Sequence, residues 1–556
     1  MKISAKVAFT VSLLALLCNK IRLIKAQRTL ARQGVGREPP TIELPRQGTL
    51  TGKEVIAYLG IPYAQPPIGQ LRFAAPVTDP LPSWTGVKEA TTYAPSCQQV
   101  AGGQKLHEKV YLRLLPTTDQ SDPGVSENCL YLNVFVPDGN ILLGKLPLIL
   151  IRTRSNIVIH LQAMTLLVFY VFQVMIVTVA YRLNILGFFT STDAEAPGNY
   201  GMMDQIAALD WVQKSIQYFD GQSNNVVIYG HSSGAISVGL HMLSPLSRGK
   251  FSKAIAMSGD AITSVRSTQA EASVVDIIAE TFGCNRSPTS DLMVCLRRVD
   301  AENLVHESSS IETWGPIVDF ETNTSNPFLP EYPKDILMSD NFNAVPLLVG
   351  YTNNEQALAY IESINKGLLR DRYLDLQTEK NYAAGLTFLA GKVARKKSAY
   401  VYRFDYRPRT AMVTEGVPEW AGVPHMFELQ FVWGLPYTVS APIQWNAADK
   451  KMADIMMTLF SNFVRVGNPS QPSLSVKWEP YTEDNPGILL LDRTINMSDP
   501  SAVDYKALAF WNDYYPSVLE EAMNNCCNVT SAAHSFISTS STLQVGVVAV
   551  FVLSRV

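Results

Sequence analysis

The 556-residue sequence holds no cluster of basic residues interleaved with aromatics, and its net charge at pH 7 is only −3. Without that electrostatic footprint, nucleic acid is excluded as a partner. Internal repeats, long linkers and low-complexity blocks are absent between about Pro40 and Pro516. Length alone allows three or four domains at about 150 residues each. The missing linkers reduce that to one large domain with tails. Histidine is scarce, with seven in the chain, so imidazole chemistry has few candidates.

The two ends read as addresses. Lys2 and Lys6 precede an apolar run, Val7 to Leu17, too short to span a bilayer. That order predicts a secretory signal peptide over 1–27, cleaved before about Arg28. At the far end, Ser531, Ala532 and Ala533 are followed by a polar spacer and an apolar tail, Val545 to Leu553. The order suits a signal for a GPI lipid anchor within a tail spanning 517–556; a plain disordered tail is the alternative. Cysteine usage agrees with export. Cys97 and Cys129 flank one loop, Cys284 and Cys295 a shorter one, and in an oxidising compartment they read as two intrachain disulfides. Asn285, Asn323, Asn496 and Asn528 head N-x-S/T sequons that could carry glycans. Location is expected to be secreted or on the extracellular face of the plasma membrane.

Between the ends, short apolar strands alternate with helices. Val55–Pro67 reads as a strand entering a Pro-rich loop, and strands are expected at Leu130–Val136, Leu146–Ile151, Val174–Tyr181, Lys253–Met257, Val345–Val349 and Ala399–Phe404. Asp204 to Phe219 places Ile206, Leu209, Trp211, Val212, Ile216 and Phe219 at helical spacing, and later helices fall at about 451–466 and 503–514. The pattern predicts an α/β fold, a mostly parallel central sheet with helices on both faces. No charged residue occurs between Arg154 and Arg182. A transmembrane helix there would put two halves of one domain on opposite sides of a membrane, so a buried strand plus ill-defined sequence is the preferred reading.

The chemistry centres on Val226–Gly239, VVIYGHSSGAISVG. A β-branched run ends at Gly230, and small residues able to form a helix follow Ser233. Ser232 is therefore the apex of G-x-S-x-G between a strand and a helix, where a sharp turn exposes the hydroxyl. Backbone N–H groups at the helix start face any negative charge that develops there, Ser233 N–H first among them. A serine nucleophile needs a base, and the base an orienting carboxylate. Three histidines follow at a distance: His306, His425 and His534. His534 is in the tail, His306 sits in a polar stretch, and Pro424 presents His425 from a loop. Glu355 lies just past the strand VPLLVG and is the favoured acid, with Asp319 its main competitor.

Together these residues resemble the type-B carboxylesterase and cholinesterase family from about residue 40 to 515. The similar stretches are YLGIPYAQPPIGQLRF, ENCLYLNVFVP, TVAYRLNILGFF, APGNYGMMDQIAALDWV, the Ser232 elbow and VPHMFELQFVWGLP. The resemblance implies an α/β-hydrolase domain over 28–516 and hydrolysis of small carboxylic esters, with neither cofactor nor metal. It carries the nucleophile to Ser232, the acid to Glu355 and the base to His425. It also implies that Cys97–Cys129 and Cys284–Cys295 are the family's first two disulfides, and that Ser258 supports the histidine from behind.

Three departures stand out. No Gly-Gly occurs between Ile151 and Arg182, where the family's glycine N–H groups build most of the oxyanion hole. One such donor is worth about 2.7–4 kcal/mol. His231 stands where the family usually has Glu, and Ser233 where it has Ala. No Trp lies between Cys97 and Cys129 to stack on a choline, which disfavours acetylcholine as substrate. The missing glycines support an alternative: a catalytically impaired cholinesterase-like adhesion or junction protein with a protein partner at the cell surface. Because the family pattern is intact on both sides of 152–173, that stretch also reads as a splicing artefact, which sequencing the transcript would decide.

Overall fold

The computed structural model describes residues 24–28, 42–50, 53–83, 88–100, 123–137, 146–152, 174–311, 314–323, 325–360, 367–437, 443–470, 472, 474, 476–498 and 503–526. The chain divides into two units, one up to Val503 and one from Asp504.

Among the described residues, the first unit has fifteen strands: β1 (Ile24–Arg28), β2 (Ile42–Leu50), β3 (Lys53–Pro62), β4 (Lys88–Glu89), β5 (Ser96–Cys97), β6 (Val125–Ser126), β7 (Tyr131–Pro137), β8 (Leu146–Arg152), β9 (Met175–Val179), β10 (Gly221–His231), β11 (Lys253–Met257), β12 (Leu347–Thr352), β13 (Ala399–Phe404), β14 (Leu489–Leu491) and β15 (Asn496–Met497). All but β5 and β6 join one sheet, in the order β1-β2-β3-β7-β9-β8-β10-β11-β12-β13-β14-β15, with β4 beside β2. The run from β9 to β14 is parallel throughout; outside it, β1, β2, β3, β7 and β15 pair antiparallel with their neighbours along the sheet, and β4 pairs parallel with β2. Every residue of β11 and β12 is buried. This is why KAIAM and LLVGYT read as continuous apolar runs rather than as alternating ones. With helices flanking it, the sheet is that of an α/β-hydrolase.

The strand and helix expectations hold in place, with shifted ends. The helix expected from Asp204 starts earlier, at Tyr200, and runs to Ser215 before a 3₁₀ turn at Ile216–Phe219. Asp204 on that helix is fully buried because Arg182 meets it with two nitrogens, Nε at 2.8 Å and Nη2 at 2.7 Å, while Nη1 donates to Ala74 O at 2.8 Å. Both disulfides, Cys97–Cys129 and Cys284–Cys295, are present. Among the described residues no helix is long and apolar enough to cross a membrane. The expectations on residues 1–23, on 153–173 and on everything after Cys526, including Asn528, lie outside the described residues.

The second unit begins with helical turns at Tyr505–Ala509, Phe510–Tyr514 and Tyr515–Cys526. Asp504 caps the first by accepting from Lys506 N and Ala507 N, both at 3.0 Å. The chain's contacts thus divide after Val503, whereas composition places the boundary near 516.

Candidate active site

Ser232 follows the last residue of β10 and precedes the helix Ser233–Leu243. Its backbone has φ +57° and ψ −124°, a conformation L-residues rarely adopt and that surrounding structure must hold. Two glycines permit it. A Cβ on Gly230 would lie 2.1 Å from the carbonyl oxygen of Gly234, and one on Gly259 would lie 2.2 Å from the carbonyl oxygen of Ser232. The Ser232 N–H donates to Met257 O at 2.8 Å, tying the turn to the end of β11. Ser232 stays partly exposed.

The next two strands along the sheet deliver the other groups at the same edge. Ser258 follows β11, and Glu355 comes three residues after β12. Ligands in open α/β sheets bind outside these carboxyl ends. His425 arrives from a loop, and its Nδ1 meets Glu355 Oε2 at 2.5 Å. The loops bearing them are laced together. His425 N donates to Glu355 O at 3.3 Å, Asn354 N to Val423 O at 3.2 Å, and Val423 N to Asn353 Oδ1 at 2.9 Å. Glu355 Oε1 accepts from Thr352 N at 2.8 Å, and Glu355 N donates to Thr378 Oγ1 at 3.2 Å. His425 lies beside the serine turn, since its ring centroid is 4.6 Å from that of His231, the residue before Ser232.

The competitors have other employment. Asp319 is buried and accepts from Phe328 N at 3.0 Å and Leu329 N at 2.7 Å, so it staples its own loop. His306 is exposed and contacts Glu307 at 3.1 Å. Ser233 opens the helix behind the turn. The stretch expected to hold oxyanion glycines begins after Arg152, which lies in register with Gly230, and falls outside the described residues.

Two residues escape the sequence reading. Glu428 is fully buried, with Oε1 3.2 Å from Ser258 Oγ and 3.4 Å from His231 Nε2. A lone carboxylate inside the apolar stretch MFELQFV is the signal that could have flagged it. Tyr382 sits in a one-turn π-helix, Glu379–Ala383, a form often found at functional sites. Its hydroxyl accepts from Gln356 Nε2 at 2.6 Å, and its ring centroid is 5.7 Å from that of His425.

Burial and charge sort these groups. Burial alone would raise the Glu355 carboxyl, but the charge of His425 and hydrogen bonds from His425, Ser258 and Thr352 bring it below the ordinary range. Glu428 goes the other way: burial, then the nearby Glu355 charge, push it up to about 8. His231 falls well below the usual imidazole value, through burial first and then the charge of His425. Glu355 is thus drawn toward its ionised form by the imidazole, and Glu428 toward its neutral form by burial.

The carboxylesterase family profile matches residues 42–368 and 359–511. The chain belongs to the carboxylesterase family. Among its relatives, human carboxylesterase 5A is 30% identical over 546 residues, covering 86% of this chain and 91% of the relative. Acetylcholinesterase of Bungarus fasciatus is 29% identical over 535 residues, covering 84% of each chain. The medium-chain fatty acyl-CoA hydrolase precursor of Anas platyrhynchos is 30% identical over 525 residues, covering 84% of this chain and 90% of the relative. Membership supports hydrolysis of carboxylic esters and small-molecule ester substrates. The enzymatic names of these relatives do not favour the adhesion alternative.

Proposed function

We propose that this carboxylesterase-family chain works through an acyl-enzyme on Ser232, with His425 as base and Glu355 as its partner. His425 Nε2 takes the proton from the Ser232 hydroxyl as Oγ bonds to the ester carbonyl carbon. The carbonyl π electrons move to oxygen, and Ser233 N–H at the helix start faces that charge. Collapse breaks the ester C–O bond, and the departing alkoxide takes the proton from the imidazolium. Water then gives a proton to His425 as its oxygen bonds to the acyl carbon; collapse breaks the acyl–Oγ bond, the imidazolium returns the proton to Ser232 Oγ, and the acid leaves. Glu355 steadies the imidazolium throughout.

The observation that carries this reading is the 2.5 Å Glu355–His425 contact beside the strained turn of Ser232. The test is hydrolysis of a short-chain aryl ester by purified protein and by Ser232→Ala. The variant is expected to lose about 10⁴-fold or more in kcat. Equal rates would overturn the mechanism.

We infer further that the chain is exported and glycosylated. Its two disulfides support this, as do the exposed positions of Asn285 and Asn496. Asn323 is the third candidate in the described chain, and Asn528 the fourth. Residues 28–516 are proposed as the hydrolase domain, with 517–556 as a tail bearing the anchor signal. Release of the expressed protein from cells by a phosphatidylinositol-specific phospholipase would support the anchor; protein found only in the medium would refute it.

A further inference from the structure

Five side chains close a ring of contacts beside the proposed nucleophile. His425 Nδ1 meets Glu355 Oε2 at 2.5 Å, and the neighbouring Ser258 hydroxyl helps to lower Glu355. Ser258 Oγ lies 3.2 Å from Glu428 Oε1, which lies 3.4 Å from His231 Nε2. The His231 ring then returns to His425, centroid to centroid at 4.6 Å and tilted by 39°. Four of these contacts are polar, and the fifth is ring against ring. Nε2 of His231 and Oε2 of Glu428 are buried and make no hydrogen bond. The 3.4 Å approach is thus where a small rotation would form one.

We propose that His231 is a positioning residue for the base: its ring braces the His425 imidazole, and its Nε2, aligned by Glu428, keeps that brace from turning away. The proposal rests on the Ser232–His425–Glu355 reading above. An imidazole anchored at Nδ1 can still swing about that bond; the Tyr382 ring approaches it from one side, centroid to centroid at 5.7 Å, and His231 from closer, at 4.6 Å. A contact with its ring removes the swing and keeps Nε2 within the narrow reach that proton transfer needs. The brace must also be uncharged, because a second cation would oppose the imidazolium that forms during turnover. Every group around it fits that requirement. His231 is buried and held neutral, and Glu428, from the helix Leu429–Val432 side, keeps its proton up to about 8. Among the described residues, Glu355 after β12 brings a negative charge that opposes the effect of the His425 charge on His231. Tyr229 on its own strand, Tyr402 on β13 and Tyr382 on the π turn add hydroxyls, those of Tyr402 and Tyr382 pushed up by burial.

The test uses the intact chain labelled with ¹⁵N-histidine, whose seven histidines give a short list of ring signals. His425→Gln assigns the Nδ1 proton of His425. That downfield signal is expected in the parent and in His231→Phe, which keeps a ring, and is expected to broaden away in His231→Ala. On a short-chain aryl ester, kcat is expected to fall about 100-fold in His231→Ala with KM little changed, and to recover most of that loss in His231→Phe. Glu428→Gln, neutral and the same shape, is expected to keep the Nδ1 signal, while Glu428→Leu broadens it. Should His231→Ala not fold, His231→Gln removes the aromatic face with less loss of volume and is expected to broaden the same signal. An unchanged Nδ1 signal without the His231 ring overturns the proposal, as does a Phe variant no better than Ala. Ser232-independent hydrolysis would instead sink the catalytic reading, while the Nδ1 signals still report on the brace.

Discussion

Glu355 and Glu428, two buried carboxyl groups, share the single hydroxyl of Ser258. Two buried carboxyl groups this close repel each other when both are charged, which favours a proton on one of the pair. Glu355 is drawn below the ordinary range by His425, which leaves the proton to Glu428.

That assignment has a signature in stability. Folded Glu428 holds its proton up to about 8, against an ordinary value of 4.5 in the unfolded chain. The native state binds more protons across that window, so this group's contribution makes stability fall as pH rises through it. Glu428→Gln keeps the shape and removes the titration. Its stability relative to the parent, read from thermal unfolding, is expected to be higher at pH 8 than at pH 5 by about 3 kcal/mol. The same difference at both pH values would mean Glu428 is already ionised.

Glu355→Gln keeps the size of the acid but offers His425 the wrong partner and the wrong tautomer. A loss of about 10⁴-fold in kcat is expected, with substrate affinity nearly intact. Steady-state kinetics on an aryl ester would check it, and a drop under tenfold would assign the orienting role elsewhere.

Gly259→Ala tests the close approach behind the serine. The new methyl would sit 2.2 Å from Ser232 O and 2.9 Å from Ala235 Cβ, so the backbone at the nucleophile must shift. Activity is expected to fall about 100-fold while circular dichroism and both disulfides remain as in the parent. Full activity would show that the turn tolerates displacement.

Removing one partner of the buried Arg182–Asp204 pair leaves an uncompensated charge. Asp204→Ala is expected to cost about 3–5 kcal/mol in denaturant unfolding. Its partner keeps only the bond to Ala74 O among those described above, so a cost under 1 kcal/mol would mean that water reaches the guanidinium.

The serine turn is legible in the sequence because it is local: strand, small residues and hydroxyl all fall within Val226–Gly239. His425 is legible through scarcity, and Glu355 because it follows a strand. The strand favours Glu355 over Asp319 from sequence alone, and the fold adds that Asp319 accepts from Phe328 N and Leu329 N. Glu428 is illegible as a site residue because its partners, His231 and Ser258, lie far away along the chain. Strands β14 and β15 are too short to show any period. The helix Thr268–Thr281 goes unread although Ser267 caps it by accepting from Ala270 N, a signal a closer search for helix starts would catch.

The lacing between Asn353–Glu355 and Val423–His425 fixes how the pocket can breathe. Thermal motion would carry acid and base as one body, whereas Ser232 is fastened separately to β11 through Met257. Mild heating would therefore open a single gap, between hydroxyl and imidazole, and leave the proton acceptor still clasped to its anion. On cooling, that ready-made couple has only to swing back, so early thermal inactivation of this protein would be reversible.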